Sequence, residues 1–164
     1  MGRGAARRGG RGDSMPRLLP PLTPHGEQLM TLDQLEAFGA AIGRAAAASL
    51  PVVITLGGDL GAGKTTLTQA IGHGFGVLEP VTSPTFALVH EYRAAGAATL
   101  YHLDLYRITG PHELANLGWD VLDDANGLVV IEWPDRAGRL IPDDALAITL
   151  AHVDGDETRR RVAW

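Results

Sequence analysis

The sequence predicts a single α/β domain with a mixed, partly antiparallel sheet flanked by helices. Three observations favour this class. An apolar run over residues 51–56 leads through a glycine-rich turn into a helical pattern over residues 64–75. Two β-rich runs, 83–92 and 98–108, are separated by small residues, as is typical of an antiparallel hairpin. A further apolar run over residues 127–133 predicts another buried strand.

The first 24 residues are rich in arginine, glycine and proline and lack the apolar segment of a secretory signal. We expect them to form a disordered arm, so the predicted domain spans residues 25–164. A tail that touches RNA or phosphate remains an alternative, as does translation from Met15.

The remaining elements follow from periodicity and capping residues. Apolar residues recur at helical spacing within residues 31–50, and Thr31 is a suitable N-cap. Pro111 opens a segment, residues 111–127, that predicts one or two short helices. Two closing strands are expected at 145–153 and 159–164, around a polar turn.

The composition excludes several classes of function. The chain has 164 residues, a formal net charge of −5 and no cysteine. The acidic balance argues against a broad nucleic-acid-binding face, and the absence of cysteine excludes disulfides and thiolate metal sites. No apolar run approaches the length of a membrane span. We therefore expect a cytoplasmic protein that binds neither DNA nor a membrane.

The glycine-rich turn carries the strongest chemical signal. The stretch GGDLGAGKTTLTQ, residues 57–69, fits the phosphate-loop pattern G-x-x-x-x-G-K-[ST] and stands between a strand and a helix, as that pattern requires. The domain is therefore predicted to be P-loop NTPase-like, with ATP and Mg²⁺ as cofactors. The predicted nucleotide-binding residues of the loop are Gly58, Asp59, Leu60, Gly61, Ala62, Gly63, Lys64, Thr65 and Thr66.

Two residues of this loop have specific predicted roles. The ammonium of Lys64 is expected to reach the β- and γ-phosphates, and the hydroxyl of Thr65 to ligate Mg²⁺. Lys64 is the only lysine of the chain, although arginines are common. Codon bias in a GC-rich genome is one explanation. The other is that a compact ammonium suits a tight phosphate loop better than a guanidinium does.

Phosphoryl chemistry also requires a carboxylate near the metal, and two positions compete. Glu132 closes the apolar strand LVVIE, and Asp104 lies mid-strand in YHLDLYR. We assign both to catalysis and to the metal site, with Glu132 on Mg²⁺ and Asp104 orienting water or the hydration shell of the metal. Either residue could instead be a solvated strand charge, and the sequence alone leaves open which one contacts the metal.

Two further residues and one run of arginines are candidates for contacts around the nucleotide. Thr85 could sense the γ-phosphate as a switch residue, or simply begin a strand. Trp133, directly after Glu132, could cap the site, anchor a partner or belong to the core. The histidines show no ligand spacing, and we interpret most of them as surface or core residues. Arg159–Arg161 could touch phosphate, although charge on a closing strand is the commoner explanation.

Five segments together resemble one known family. GDLGAGKTTLTQ, SPTFALVHEY, YHLDLYR, ELANLGWD and VVIEWPDR occur in this order and at similar spacing in the bacterial TsaE (YjeE-like) family. These are small P-loop ATPases of tRNA threonylcarbamoyladenosine (t6A) biosynthesis. The resemblance covers roughly residues 27–162 and leaves out the arginine-rich arm.

The resemblance implies site residues and partners. It carries the metal threonine onto Thr65, the metal glutamate onto Glu132, and the essential aspartate and the tryptophan onto Asp104 and Trp133. An adenine contact falls near Thr31 and Leu32, where the match is loose, and a C-terminal arginine falls on Arg159 or Arg161. Family members work with TsaB and TsaD to attach threonylcarbamoyl to adenosine 37 of tRNAs that read ANN codons, so any contact with tRNA would be through the complex.

We therefore expect an ATPase that is weak alone and activated by its partners. ATP would act as a conformational signal, because the short chain has no obvious second substrate pocket. The alternatives are a small-molecule kinase, for which no arginine-bearing lid is evident, and a nucleotide-gated binding module with incidental hydrolysis. A GTPase is disfavoured because the chain has no N-K-x-D segment.

Overall fold

The computed structural model describes residues 22–83, 87–116 and 119–164. Within these residues it contains seven strands and two α-helices, joined by turns and short 3₁₀ segments. The elements are β1 (Glu27–Thr31), α1 (Leu32–Ala47), β2 (Val52–Gly57), α2 (Lys64–Phe75), β3 (Val89–Arg93), β4 (Thr99–Asp104), β5 (Gly127–Glu132), β6 (Leu146–Val153) and β7 (Asp156–Ala163).

All seven strands form one mixed sheet in the order β1-β7-β6-β2-β5-β4-β3. The central strands β6, β2, β5 and β4 run parallel to one another. β1, β7 and β3 are antiparallel to the strands beside them. The carboxyl ends of β2, β4 and β5 therefore meet at one edge of the sheet, where Asp104 pairs in register with Glu132. In open α/β sheets this edge is where ligands bind.

Both α-helices cover the same face of the sheet. Leu35 and Ile42 of α1 and Leu67 and Ile71 of α2 belong to one buried cluster with Ile54 of β2. These helix residues recur at the spacing of an amphipathic helix, which buries one stripe. A second cluster fills the opposite face of β4 and β5, and short 3₁₀ segments rather than helices cover it.

The two helices approach each other closely through glycine. A Cβ atom added at Gly74 would lie 2.0 Å from the carbonyl oxygen of Ala40, and one added at Gly43 would lie 2.1 Å from that of Ile71. Both distances are shorter than any non-bonded contact of a real Cβ. Only glycine therefore allows the backbones of α1 and α2 to pack at this separation.

Most predicted elements are confirmed. α2 has the predicted bounds, the hairpin of β3 and β4 is antiparallel, and the strand before the glycine-rich turn is β2. Thr31 is the N-cap of α1, and its side chain and that of Gln34 form a reciprocal capping box. The residues predicted as one or two short helices form 3₁₀ turns at Pro111–Asn116 and Trp119–Asp123.

Four details differ from the prediction. The second closing strand, β7, begins at Asp156 rather than at residue 159. β1 was not predicted, because only Met30 of its five residues is buried and no alternation is visible. β3 begins at Val89 rather than at residue 83. Asp104 is the last residue of β4, not a mid-strand residue, because the chain turns away directly after it. β4 lies between β5 and β3, so Asp104 is not on an edge strand.

The start of the described chain also touches the core. Leu22 is partly buried against the cluster beneath the helices, three residues before the predicted domain boundary. The disordered arm proposed from the sequence otherwise lies outside the described residues. In the part of the chain that the structure describes, neither helix has the length and apolarity to cross a membrane.

Candidate functional site

The loop between β2 and α2 is shaped by its glycines. Gly58, Gly61 and Gly63 have φ values of 136°, 76° and 106°, in the region that favours glycine. At Gly58 a Cβ would also lie 2.2 Å from the carbonyl oxygen of Leu150. The loop therefore folds tightly against β6 and leads into α2, whose N-cap is Gly63. A glycine loop before a helix N-terminus suits a bound anion.

Lys64 is buried at the start of α2 and folds back onto this loop. Its Nζ donates to the carbonyl oxygens of Gly58 and Asp59, at 2.6 and 2.7 Å. The same Nζ lies 4.1 Å from the centre of the Trp133 ring, a cation–π contact. Burial lowers the pKa of Lys64, and the nearby carboxylates of Glu132 and Asp104 partly oppose this shift.

Glu132 ends β5 beside the first turn of α2 and is only 2% exposed. The hydroxyl of Thr65 lies 3.3 Å from both carboxylate oxygens of Glu132. Oε1 also contacts the Thr68 hydroxyl at 3.1 Å and Nε2 of His102 at 2.8 Å. Two hydroxyl groups of α2 and the imidazole of His102 therefore hold this carboxylate. Among the described residues, no lysine or arginine forms an ion pair with it.

Asp104 lies at the end of the neighbouring strand. Its Oδ1 accepts a hydrogen bond from the backbone N–H of Tyr106 at 3.0 Å, and its Oδ2 accepts one from the Ser83 hydroxyl at 3.3 Å. These bonds fix the carboxylate at the turn that follows β4. Asp104 and Glu132 therefore face the same space from adjacent strands.

Two aromatic rings cover one side of this space. Trp133 follows Glu132 and has a left-handed backbone, with φ 60° and ψ 53°. Its ring centre is 5.0 Å from that of Tyr106. Positive φ is rare for a bulky residue and costs roughly 1–3 kcal/mol. At this turn the chain leaves β5, and the indole of Trp133 lies against Lys64.

Two adjoining pockets surround the loop. The first, about 310 Å³, holds both carboxylates and the aromatic pair. The second, about 450 Å³, lies between the loop, the start of α1 and β7. The first is lined by Leu60, Gly61, Gly63, Lys64, Thr65, Thr66, Ser83, Asp104, Tyr106, Glu132 and Trp133. The second is lined by Met30, Thr31, Leu32, Leu35, Gly61, Ala62, Gly63, Thr66, Glu157, Thr158 and Arg160.

The structure brings most of the predicted residues together. Asp104, Glu132 and Trp133 line the first pocket together with the loop residues Leu60, Gly61, Gly63, Lys64, Thr65 and Thr66. Ala62 and Thr31 line the second pocket, whereas Gly58 and Asp59 line neither. Arg159 lines neither pocket and is bonded to Asp156 at 2.6 Å. Arg160 lines the second pocket instead. Thr85, the predicted switch residue, lies outside the described residues.

Sequence reasoning missed two contacts of Glu132, those of His102 and Thr68. His102 is fully buried, and one buried histidine carries no spacing signal of its own. Its position two residues before Asp104, on the same face of a strand, was the available clue. Thr68 lies one helical turn after Lys64 and bonds to the Lys64 carbonyl oxygen at 2.9 Å.

The chain is similar to known proteins in sequence and in fold. A family profile described as "Threonylcarbamoyl adenosine biosynthesis protein TsaE" matches residues 29–162. The crystal structure of YdiB from Bacillus subtilis superposes with a TM-score of 0.63 and 28% identity, covering 85% of this chain and 83% of that one.

Curated relatives named "tRNA threonylcarbamoyladenosine biosynthesis protein TsaE" are also similar. The Nostoc protein is 50% identical over 88 residues, 51% of this chain and 53% of its own length. The Haemophilus influenzae protein is 38% identical over 103 residues, 63% of this chain and 65% of its own. The matched segments thus span between half and two thirds of these relatives. With its α/β P-loop fold and a profile match across most of its length, the chain belongs to the TsaE family.

Proposed function

We propose that this protein is an ATP-binding and ATP-hydrolysing subunit needed for threonylcarbamoylation of adenosine 37 in tRNA. The observation that carries the proposal is the first pocket, which combines the glycine loop and Lys64 with two carboxylates. A phosphate loop binds the anion, and the carboxylates serve the chemistry at its end. The names of the related proteins supply the pathway.

The pocket has the donors that a magnesium ion prefers. Mg²⁺ binds oxygen ligands, and it commonly takes one or two from protein carboxylates and the rest from phosphates and water. The Thr65 hydroxyl and the Glu132 carboxylate supply such oxygens in contact with each other. The described residues contain no cluster of three or more His, Cys, Asp or Glu that would hold a metal alone. A magnesium ion here would therefore depend on the nucleotide, where it would neutralise charge that develops on the phosphates.

The protein's own residues divide the remaining tasks. Lys64, now bonded to two loop carbonyls, would turn toward the phosphates when the nucleotide displaces those bonds. Asp104, held by Tyr106 and Ser83, would orient the attacking water. The second pocket, with Thr31 and Leu32 on one wall, would take the base and ribose.

Partner proteins would complete the catalytic arrangement. Asp104 and Tyr106 both line the first pocket, and Tyr106 is 47% exposed. Hydrolysis requires a water held in line with the phosphate, which a partner surface would organise there. We propose proteins of the TsaB and TsaD type as these partners, with tRNA engaged through the complex. Slow hydrolysis alone and faster hydrolysis in the complex follow from this arrangement.

The test is ATP turnover by the purified protein, alone and with TsaB and TsaD, beside three variants. Lys64→Ala removes the charge, and Lys64→Arg keeps it on a wider group that the carbonyl and indole contacts leave little room for. Arg44→Lys, at an exposed position in the last turn of α1, is the matched control. We expect partner-stimulated turnover that is lost in both Lys64 variants and kept in the control.

Other outcomes point elsewhere. Rapid turnover without partners, or phosphate transfer to a small acceptor, would favour a kinase. An Asp104→Ala protein that binds ATP and still supports the tRNA modification would show that hydrolysis is dispensable. The protein would then be a nucleotide-gated binding module.

A further inference from the structure

We propose that His102 and Thr68 are positioning residues that orient Glu132, so that its Oε2 faces the metal and nucleotide. The inference rests on the proposed nucleotide site and adds two residues to it. Both contact the same oxygen of the carboxylate, Oε1, His102 from β4 and Thr68 from α2.

His102 has one polar contact in the described structure, and that contact is with Glu132. Because a carboxylate accepts hydrogen bonds, Nε2 is the nitrogen that donates, at 2.8 Å. Nδ1 is buried and has no hydrogen-bond partner among the described residues. An unpaired buried polar atom costs roughly 1–3 kcal/mol. A leucine would avoid that cost, so the presence of histidine indicates that the bond to Glu132 matters.

Thr68 holds the same oxygen from the helix side. Its hydroxyl lies 2.9 Å from the carbonyl oxygen of Lys64 and 3.1 Å from Oε1 of Glu132. A hydroxyl has one proton, which it can give to either acceptor. When that proton is donated to Oε1, it ties Glu132 to α2, whose first turn carries both Lys64 and Thr65.

The two contacts leave the carboxylate oxygens inequivalent. Oε1 meets His102, Thr68 and Thr65, whereas Oε2 meets only Thr65 among the described residues. Oε2 is therefore the oxygen with capacity to accept from water or bind a cation. Partners behind a ligating carboxylate or histidine orient it and tune its affinity for the metal.

The experiment compares two pairs of variants. His102→Leu removes the donor and fills the space, while His102→Gln keeps an N–H in place of Nε2. Thr68→Val removes the hydroxyl at constant size, and Thr68→Ser keeps it. For each variant, binding of a non-hydrolysable ATP analogue is titrated with Mg²⁺ and also measured in EDTA, and the melting temperature is recorded.

We expect His102→Leu and Thr68→Val to need about tenfold more Mg²⁺ for half-maximal binding, with the Gln and Ser variants restored to within about threefold of wild type. Affinity in EDTA should not change, because the phosphate loop is intact. A purely structural role would move the melting temperature without moving the Mg²⁺ requirement.

Three results would overturn the inference. One is a wild-type Mg²⁺ requirement in both His102→Leu and Thr68→Val. Another is a His102→Gln protein that needs as much Mg²⁺ as His102→Leu. If His102→Leu does not fold, the Thr68→Val and Thr68→Ser variants test the inference by the same measurement. The third is a wild-type protein that binds no nucleotide, or binds it equally well after Lys64→Ala. That result contradicts the proposed function as well, whereas the first two results contradict only the positioning roles of His102 and Thr68.

Discussion

Lys64 illustrates how far a single residue can be understood from the sequence. Its position in the phosphate-loop pattern and its status as the only lysine both predicted a site that arginine cannot serve. The structure places its Nζ within 2.7 Å of two carbonyl oxygens and against an indole ring. The phosphate-loop pattern does not include His102. The contact of this buried histidine with Glu132 becomes visible only in the structure.

Tyr101 and Asp124 form a pair whose effect on stability depends on pH. The Tyr101 hydroxyl donates to Oδ2 of Asp124 at 2.6 Å. This bond, with burial, raises the pKa of Tyr101 to about 12. It also lowers the pKa of Asp124, together with the backbone N–H of Asn126. The bond therefore requires a neutral tyrosine and an ionised aspartate.

We predict that Tyr101→Phe lowers the free energy of unfolding by about 1 kcal/mol at neutral pH, limited by the partial exposure of both groups. The contribution of Asp124 is present above its unfolded pKa of 3.8 and is lost as pH falls through its lower folded value. That of Tyr101 is present below 10.0 and is lost as pH rises toward 12. Urea unfolding of both proteins across pH checks this, and a difference that stays constant at both extremes would contradict it.

At the scale of elements, the contact between α1 and α2 depends on glycine at two crossing points. The added Cβ at Gly74 would meet backbone, which cannot move aside. At Gly72, on the same helix, it would meet the methyl ends of Val81 and Leu100, at 2.8 and 3.4 Å. These two positions are a matched pair, because alanine raises helix propensity at both.

We predict that Gly74→Ala lowers the free energy of unfolding by about 3 kcal/mol, the upper end of overpacking costs, and Gly72→Ala by about 1 kcal/mol or less. In Gly74→Ala the helices must separate, whereas side chains can adjust around Gly72. Chemical denaturation of the two variants beside wild type measures the difference. Equal losses would mean that the helices move apart easily.

The elements that sequence predicted well are those with a strong local pattern. β2, α2 and β5 have continuous apolar runs or a loop motif, and their bounds differ from prediction by at most one residue. β1 has no such pattern. It is recognised as a strand by its pairing with β7, and only one of its five side chains is buried. After β4, where short helices were predicted, the chain forms 3₁₀ turns, and Leu114 in the first of them is fully buried in the second cluster.

At the scale of the whole molecule, β1 and β7 join distant parts of the described chain. Gly26 and Trp164 exchange two backbone hydrogen bonds, at 3.0 and 2.9 Å. The Trp164 ring packs on Phe38 of α1, with 5.3 Å between ring centres. Its Nε1 is buried without a partner among the described residues. The contribution of Trp164 is therefore one of apolar contact.

We predict that Trp164→Ala lowers the free energy of unfolding by about 2 kcal/mol, less than for a fully buried aromatic residue. Trp164→Phe should lie close to wild type, because it keeps the ring contact and removes an unpaired N–H. Thermal or urea unfolding distinguishes them. If phenylalanine were as damaging as alanine, the indole nitrogen would have a function that ring contact does not explain.

The overall class was predictable because motif and periodicity agree on a mixed sheet. The sequence indicated the loop and both carboxylates, although it placed Glu132 at a strand end and Asp104 within a strand. It could not select, within the run Arg159–Arg161, the arginine that lines the second pocket. Along β7, alternate side chains face opposite sides, so a shift of one residue separates Arg160 from Arg159. That register is fixed by pairing with β1 and β6.

The pairing of β1 with β7 also has a consequence for the order of events during synthesis. β1 is made early, yet its neighbour in the described sheet is made last. The second pocket needs both, because Thr31 comes from the end of one and Arg160 from the other. On the ribosome, the phosphate loop can emerge while this wall is still missing. The nascent chain would thus acquire its complete pocket only after the final strand leaves the exit tunnel.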